Sequence, residues 1–325
     1  MSSITKYREA YKTNGSFEYP YFFEQYQKAL ASVWRPQEVT FESDIRDWQS
    51  ASQDEREIVG GILRGFTLLE THVSDYWSRI PDWFPKHEIA AVARMFSLSE
   101  VVHSEAYNLL SDTLGLDEFE AFLGDPVARK KIGYFLNKKG IKESLAIFSG
   151  GAEGVSLFSS FSVLLSLNLK GKYRGLAQII SWSINDEQQH SDTGIALLNE
   201  YVKENPWTPQ EILTVEDGFD ALLTNELSFL GQTFRGRKSE SIDPEDVPHY
   251  LYFRANNRLE RMNLDKRYPY DKERAGRIRQ WFEPIAAGAT STDFFAQSKS
   301  GDSYIAKPHQ DYSSVNLKML NLVID

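Results

Sequence analysis

Two short segments share one spacing, Glu100-Val-Val-His103 and Glu187-Gln-Gln-His190, and each follows a lone glutamate in an apolar stretch, Glu70 and Glu153. Residues three apart on a helix share a face, so each segment aims one carboxylate and one imidazole at a common point. Carboxylate oxygen with imidazole nitrogen suits iron or manganese better than zinc, and bridging carboxylates suit two metals held close together. The order Glu, Glu-x-x-His, Glu, Glu-x-x-His is the ligand set of a two-metal site inside a four-helix bundle. One Glu-x-x-His alone is usually a solvated helix face. Two copies, each behind an apolar-flanked glutamate, predict six ligands: Glu70, Glu100, His103, Glu153, Glu187 and His190.

The elements that must carry these residues read as helices throughout, with no sustained period-two pattern. Helical periodicity predicts helices over 22–34, 54–77, 87–114, 126–139, 142–169, 172–203, 208–234, 250–263 and 271–282. Pro81 and Pro85 are expected to bracket a turn, and Pro126 to sit in a first helical position behind Asp125. Gly150, Gly151 and Gly154 surround Glu153. They mark either a helix start or kink, or a backbone loosened so that this carboxylate can change its mode of binding. Beyond about Gly288 the chain becomes a Ser/Gly/Asp-rich stretch ending in the apolar Leu317–Asp325. The expected organisation is therefore one helical domain, 1–288, and a flexible tail, 289–325, whose tip docks on a partner.

Composition excludes several alternatives. The formal net charge of −10 argues against a nucleic-acid or anionic-membrane binder. The N-terminus lacks an apolar core, and the longest uncharged run, 154–169, is short and serine-rich. No membrane span and a cytoplasmic location are expected. Without cysteine there is no disulfide, thiolate metal site, iron–sulfur cluster or thiol nucleophile in this chain.

The neighbours of the ligands sharpen the chemistry. Tyr107 lies one turn beyond His103, where its phenol could lose an electron and a proton to an oxidising metal pair. Asp186, next to Glu187, could accept a hydrogen bond from the outer nitrogen of a metal-bound histidine. Leu157, Phe161 and Ser183 fall on ligand-bearing helix faces and are expected near Tyr107.

Together these segments resemble the radical-generating small (beta) subunit of class I ribonucleotide reductase. The likeness rests on Trp34-Arg-Pro-x-Glu-Val39, Thr67-Leu-Leu-Glu70, Ser99-Glu-x-x-His-Ser-x-x-Tyr107, Asp186-Glu-x-x-His190 and Asn256-Asn-Arg-Leu259, with matching intervals between ligands. The resemblance implies an all-α, ferritin-like helical bundle with extra flanking helices, usually a homodimer. It implies that Tyr107 is the radical tyrosine and that Trp34, Asp186 and His103 form an electron relay. In the tail, Tyr304, or alternatively Tyr312, would pass the oxidising equivalent to the large (alpha) subunit, on which the C-terminal peptide docks. The catalytic thiols and nucleotide sites would lie on that partner. The metals would be manganese or iron, and an activating flavoprotein could be needed.

Two departures qualify the resemblance. Glu70 stands where the best-known iron members have aspartate, which favours manganese while leaving iron or a mixed pair open. Ser183 is polar where the family's tyrosyl pocket is apolar, so the metals themselves could store the equivalent. The alternative reading is a ferritin-like di-metal oxidase or ferroxidase with no reductase partner.

Overall fold

The computed structural model describes residues 3–7, 17–116, 126–127 and 140–287, with the side chains of 67–74 outside that description. Nine helices organise the described residues: α1 (Pro20–Ala31), α2 (Glu42–Ser50), α3 (Gln53–Trp83), α4 (His87–Leu114), α5 (Ile141–Lys170), α6 (Arg174–Glu204), α7 (Pro209–Phe234), α8 (Asp246–Arg261) and α9 (Lys272–Ala286). A short 3-10 turn, Pro36–Glu38, follows α1. No strand occurs among the described residues, as the all-α reading requires. The region expected as a helix over 126–139 lies almost wholly outside them, as do Tyr304, Tyr312 and the tail.

Local chemistry sets the ends of the long helices. Ser52 caps α3 by accepting from the Glu55 amide at 3.2 Å. Gly115, at φ +66°, turns the chain out of α4 in the left-handed conformation that suits glycine. Thr208 and Glu211 close a capping box around Pro209 at the start of α7. The start of α6 is different, because its N-cap, Tyr173, supplies no side-chain cap. Asp44 instead accepts from the Gly175 and Leu176 amides at 2.9 and 2.7 Å, and Asp47 from the Tyr173 amide at 2.8 Å. Both aspartates sit on α2, a short polar helix outside the segments that helical periodicity predicts.

The helix α3 also runs further than expected, through Pro81 to Trp83. Pro81 lies in the last turn, where its missing N–H removes one hydrogen bond just before the helix ends. The chain then turns over 84–86 into α4, and α3 and α4 form a hairpin. A second hairpin joins α5 to α6, and α4 packs on α6 across the middle. These four helices carry the six predicted ligand positions; the other five flank them.

Helix α5 is the least regular element. Leu145–Ser156 is wound as a π-helix, between α-helical Ile141–Ser144 and Leu157–Ser166, and every residue of the π segment is buried. Helix α5 is long and apolar enough to cross a membrane, yet 89% of its most apolar window is buried, which makes it a core helix. The glycines of the π segment have a packing reason. A Cβ on Gly151 would stand 2.9 Å from Leu222 Cδ1, and one on Gly154 would stand 2.5 Å from Ser191 Oγ.

Candidate metal centre

Among the described residues, Glu100, Glu153, Glu187 and His190 each place a ligand atom within 4.8 Å of the others, all fully buried. His103 completes the group, with Nδ1 at 3.1 Å from Glu100 Oε2 and 3.0 Å from Glu187 Oε1. His190 Nδ1 lies 2.8 Å from Glu100 Oε1 and 3.5 Å from Glu187 Oε2. Glu70 is on α3, with its side chain outside the description. The two imidazoles present Nδ1 inward and Nε2 outward. His103 Nε2 meets Asp186 Oδ2 at 3.1 Å, and His190 Nε2 meets Ser99 Oγ at 3.0 Å.

The residues present fit a metal pair. Both Glu187 oxygens, Glu100 Oε1, Glu153 Oε2 and His190 Nδ1 are buried without a hydrogen bond among the described residues. Buried polar atoms left in that state are costly, and here they converge on one point. The contact between His190 Nδ1 and Glu100 Oε1 is short but misaligned for hydrogen bonding. These are hard oxygen and imidazole donors with lone pairs free to take a cation.

Without a metal, protons fill that role. Burial opposes charge on His103, but Asp186, Glu100 and Glu187 outweigh it and hold the imidazole well above its usual value. His190 is raised in the same way, chiefly by Glu100. Burial pushes the Glu153 carboxyl up, and the nearby Glu187 and Glu100 add to the rise. Burial also opposes ionisation of Glu100, but His190 and His103 reverse this and keep its carboxyl below the usual range.

On the outer side of His103, Trp34 Nε1 donates to Asp186 Oδ2 at 2.9 Å, and the indole stacks on the imidazole at 5.7 Å. Tyr107 is buried, 6.5 Å from the His103 ring, with Phe66 stacked on it at 5.0 Å. Phe161 packs on Phe66 at 4.9 Å, and Leu157 belongs to the same apolar cluster. Ser183 is buried on α6, and its hydroxyl makes no hydrogen bond among the described residues.

Several residues at the site were not singled out from sequence. Trp77 donates to Glu153 and packs edge-on against His190. It lies seven residues after Glu70, two helical turns along one face, a spacing that could have revealed it. Trp182 packs against Trp34 at 5.2 Å. Ser99 and Arg258 stand in the sequence only as members of the Ser99–Tyr107 and Asn256–Leu259 motifs, and Arg254 carries no local signal.

Comparison with known proteins places this geometry. Residues 13–275 match the family model described as ribonucleotide reductase, small chain. A probable ribonucleoside-diphosphate reductase small subunit of Invertebrate iridescent virus 6 is 28% identical, over 97% of each chain. The ribonucleoside-diphosphate reductase subunit beta of Halalkalibacterium halodurans is 25% identical, over 84% of this chain and 83% of its own. The solved dimanganese(II)-NrdF of Streptococcus sanguinis superposes with a TM-score of 0.72 at 22% identity, over 87% of this chain and 99% of its own, a likeness of fold. The ferritin-like bundle is thus a shared architecture, and with four-fifths of its length inside the family model, the chain belongs to the ribonucleotide reductase small-chain family.

Proposed function

We propose that this chain is the radical-generating small subunit of a ribonucleoside-diphosphate reductase, supplying the oxidising equivalent with which a large subunit makes deoxyribonucleotides. The observation that carries the reading is the convergence of three buried glutamates and two histidines, with Asp186 joining His103 to Trp34. Glu70, Glu100, His103, Glu153, Glu187 and His190 would hold two metal ions. When bound, such a redox-active pair supplies an oxidant derived from an oxygen species. Manganese is our preferred metal, supported by Glu70 at a position where aspartate marks the best-known iron members; iron and a mixed pair are the alternatives. A ferroxidase without a reductase partner is not favoured, given the family match across 13–275.

The chain's own residues divide the remaining work. Asp186 orients His103 through Nε2 and accepts the indole N–H of Trp34 through the same oxygen. An indole that loses an electron becomes a stronger acid at nitrogen, and Asp186 is placed to take that proton. Tyr107, enclosed by Phe66 and its neighbours away from water, is the candidate store for the equivalent. The π winding around Glu153 supports a carboxylate free to change its binding mode, since such irregular turns recur at functional sites.

The absence of cysteine supports a division of labour in which the large subunit supplies the thiols. Docking would use the tail, 289–325, with Tyr304 or Tyr312 as the terminal relay. Exposed Leu30 on α1, Val33 just past its end, and Leu98 and Val101 on α4, the helix α1 packs against, support a homodimer. A cytoplasmic location and an activating flavoprotein complete the proposal. The test is metal content after growth with manganese and iron both supplied, followed by nucleotide reduction with the large subunit. About two ions per chain and partner-dependent turnover are expected; metal-free or partner-independent protein would sink the reading.

A further inference from the structure

Two arginines on α8 are buried beside the π segment, each only 2% exposed, and nothing in the relay uses them. Arg254 Nε donates to the Gly154 carbonyl at 2.8 Å, and Arg258 Nε reaches the same oxygen at 3.4 Å. Gly154 is the residue after Glu153. A Cβ there would come within 2.9 Å of Arg258 Nε, so only glycine lets the guanidinium reach the backbone.

The other ends of both guanidinium groups run to α6. Arg254 and Arg258 donate to Gln188 Oε1 at 3.1 and 2.8 Å, and Arg258 also donates to Asp192 Oδ1 at 2.9 Å. Gln188 follows Glu187, and Asp192 lies two residues beyond His190. Arg254 is held in turn by Glu283 at 2.9 Å and by the Phe158 ring at 3.4 Å. Burying two like charges side by side is costly, and burial together with Arg254 pulls the Arg258 guanidinium down to about 9. Such a cost calls for a task that one cation or an apolar pair could not perform.

We infer that Arg254 and Arg258 are positioning residues that clamp the π segment through the Gly154 carbonyl, limiting the range over which Glu153 can move relative to Glu187 and His190. The inference rests on the di-metal reading and adds to it a device outside the ligand set. Two side-chain donors on one backbone carbonyl hold it against α8, and so set how far the segment can rewind. Rewinding would carry the Glu153 side chain with it.

The test is a manganese(II) titration of the full chain, followed by electron paramagnetic resonance of the free ion. Arg254→Lys keeps the positive charge and the contact with Phe158 but loses the Nε–H that reaches Gly154. We expect the variant to bind one ion about tenfold or more weakly than wild type while the other ion is held within about twofold. In the metal-free variant, amide hydrogen exchange should quicken over 145–160 and stay unchanged in α3 and α4. Arg258→Lys is the second variant should the first not fold. Equal weakening of both ions, or weakening of neither, overturns the clamp. Wild-type chain that binds no manganese and no iron overturns the di-metal reading, and the clamp with it.

Discussion

Trp77 and Glu153 meet across the bundle, the indole Nε1 on α3 donating to Oε1 on the π segment of α5 at 2.5 Å. That bond counteracts the burial and the neighbouring carboxylates that push Glu153 towards its neutral form. It also ties the one glutamate on irregular backbone to a rigid helix.

Trp77→Phe keeps most of the packing and removes the donor. Manganese affinity should fall about tenfold, the usual cost of losing a hydrogen bond to a metal ligand. Titration calorimetry reads this directly, and unchanged affinity would reduce Trp77 to a packing residue.

The pH dependence follows from the raised values of His103, His190 and Glu153. A group whose folded pKa exceeds its unfolded one stabilises the metal-free fold below the unfolded value, and that contribution is lost as pH rises through the folded value. Glu100, shifted downward, has the opposite sign: its contribution is present above its ordinary value and lost as pH falls through the lowered one. Metal ions compete with the extra protons, so binding strengthens as pH climbs past the ordinary histidine range. The rise in melting temperature on adding manganese should therefore widen between about pH 6 and about pH 8.5. A flat or shrinking increment would mean that both histidines are already neutral in the metal-free chain.

Trp34→Phe separates relay from metal binding. It should keep both metal ions and lose partner-dependent nucleotide reduction. Asp186→Asn should do both kinds of damage, because it weakens the support of His103, at about tenfold in metal affinity, as well as the contact with Trp34. Full turnover by Trp34→Phe would exclude the relay.

Removing Leu317–Asp325 addresses the tail. Reductase activity with the large subunit should vanish while metal content and helicity by circular dichroism remain at wild-type levels. Activity that survives would place the docking surface on the helical body.

The clearest parts of this architecture were those written in local chemistry. Helix α4 was readable to the residue, His87–Leu114, because Pro85 precedes it and Gly115 ends it. The Glu-x-x-His pairs were readable because their geometry is intrahelical. What escaped is tertiary. Helix α2 is short and polar, and its purpose, capping α6 with Asp44 and Asp47, shows only when two segments some 130 residues apart meet. Gly150, Gly151 and Gly154 mark a kink or a loosened backbone around Glu153, but nothing local specifies π winding over Leu145–Ser156. Its glycines answer to Leu222 and Ser191 on other helices and to Met262 just past α8. Arg254 would pass in sequence for a surface charge on an amphipathic helix, and the Asn256–Leu259 motif that contains Arg258 does not mark that side chain as buried.

The π segment has a consequence for how this chain can vary. Such a stretch fits more residues into each turn than an α-helix does, as though a residue had been inserted without lengthening the element. Deleting one residue between Leu145 and Gly151 would let α winding return and change the direction in which Glu153 leaves the axis of α5. The composition would hardly change, and the helix would be more regular than before. Length is thus a constrained quantity here, in addition to the close packing that holds Gly151 and Gly154.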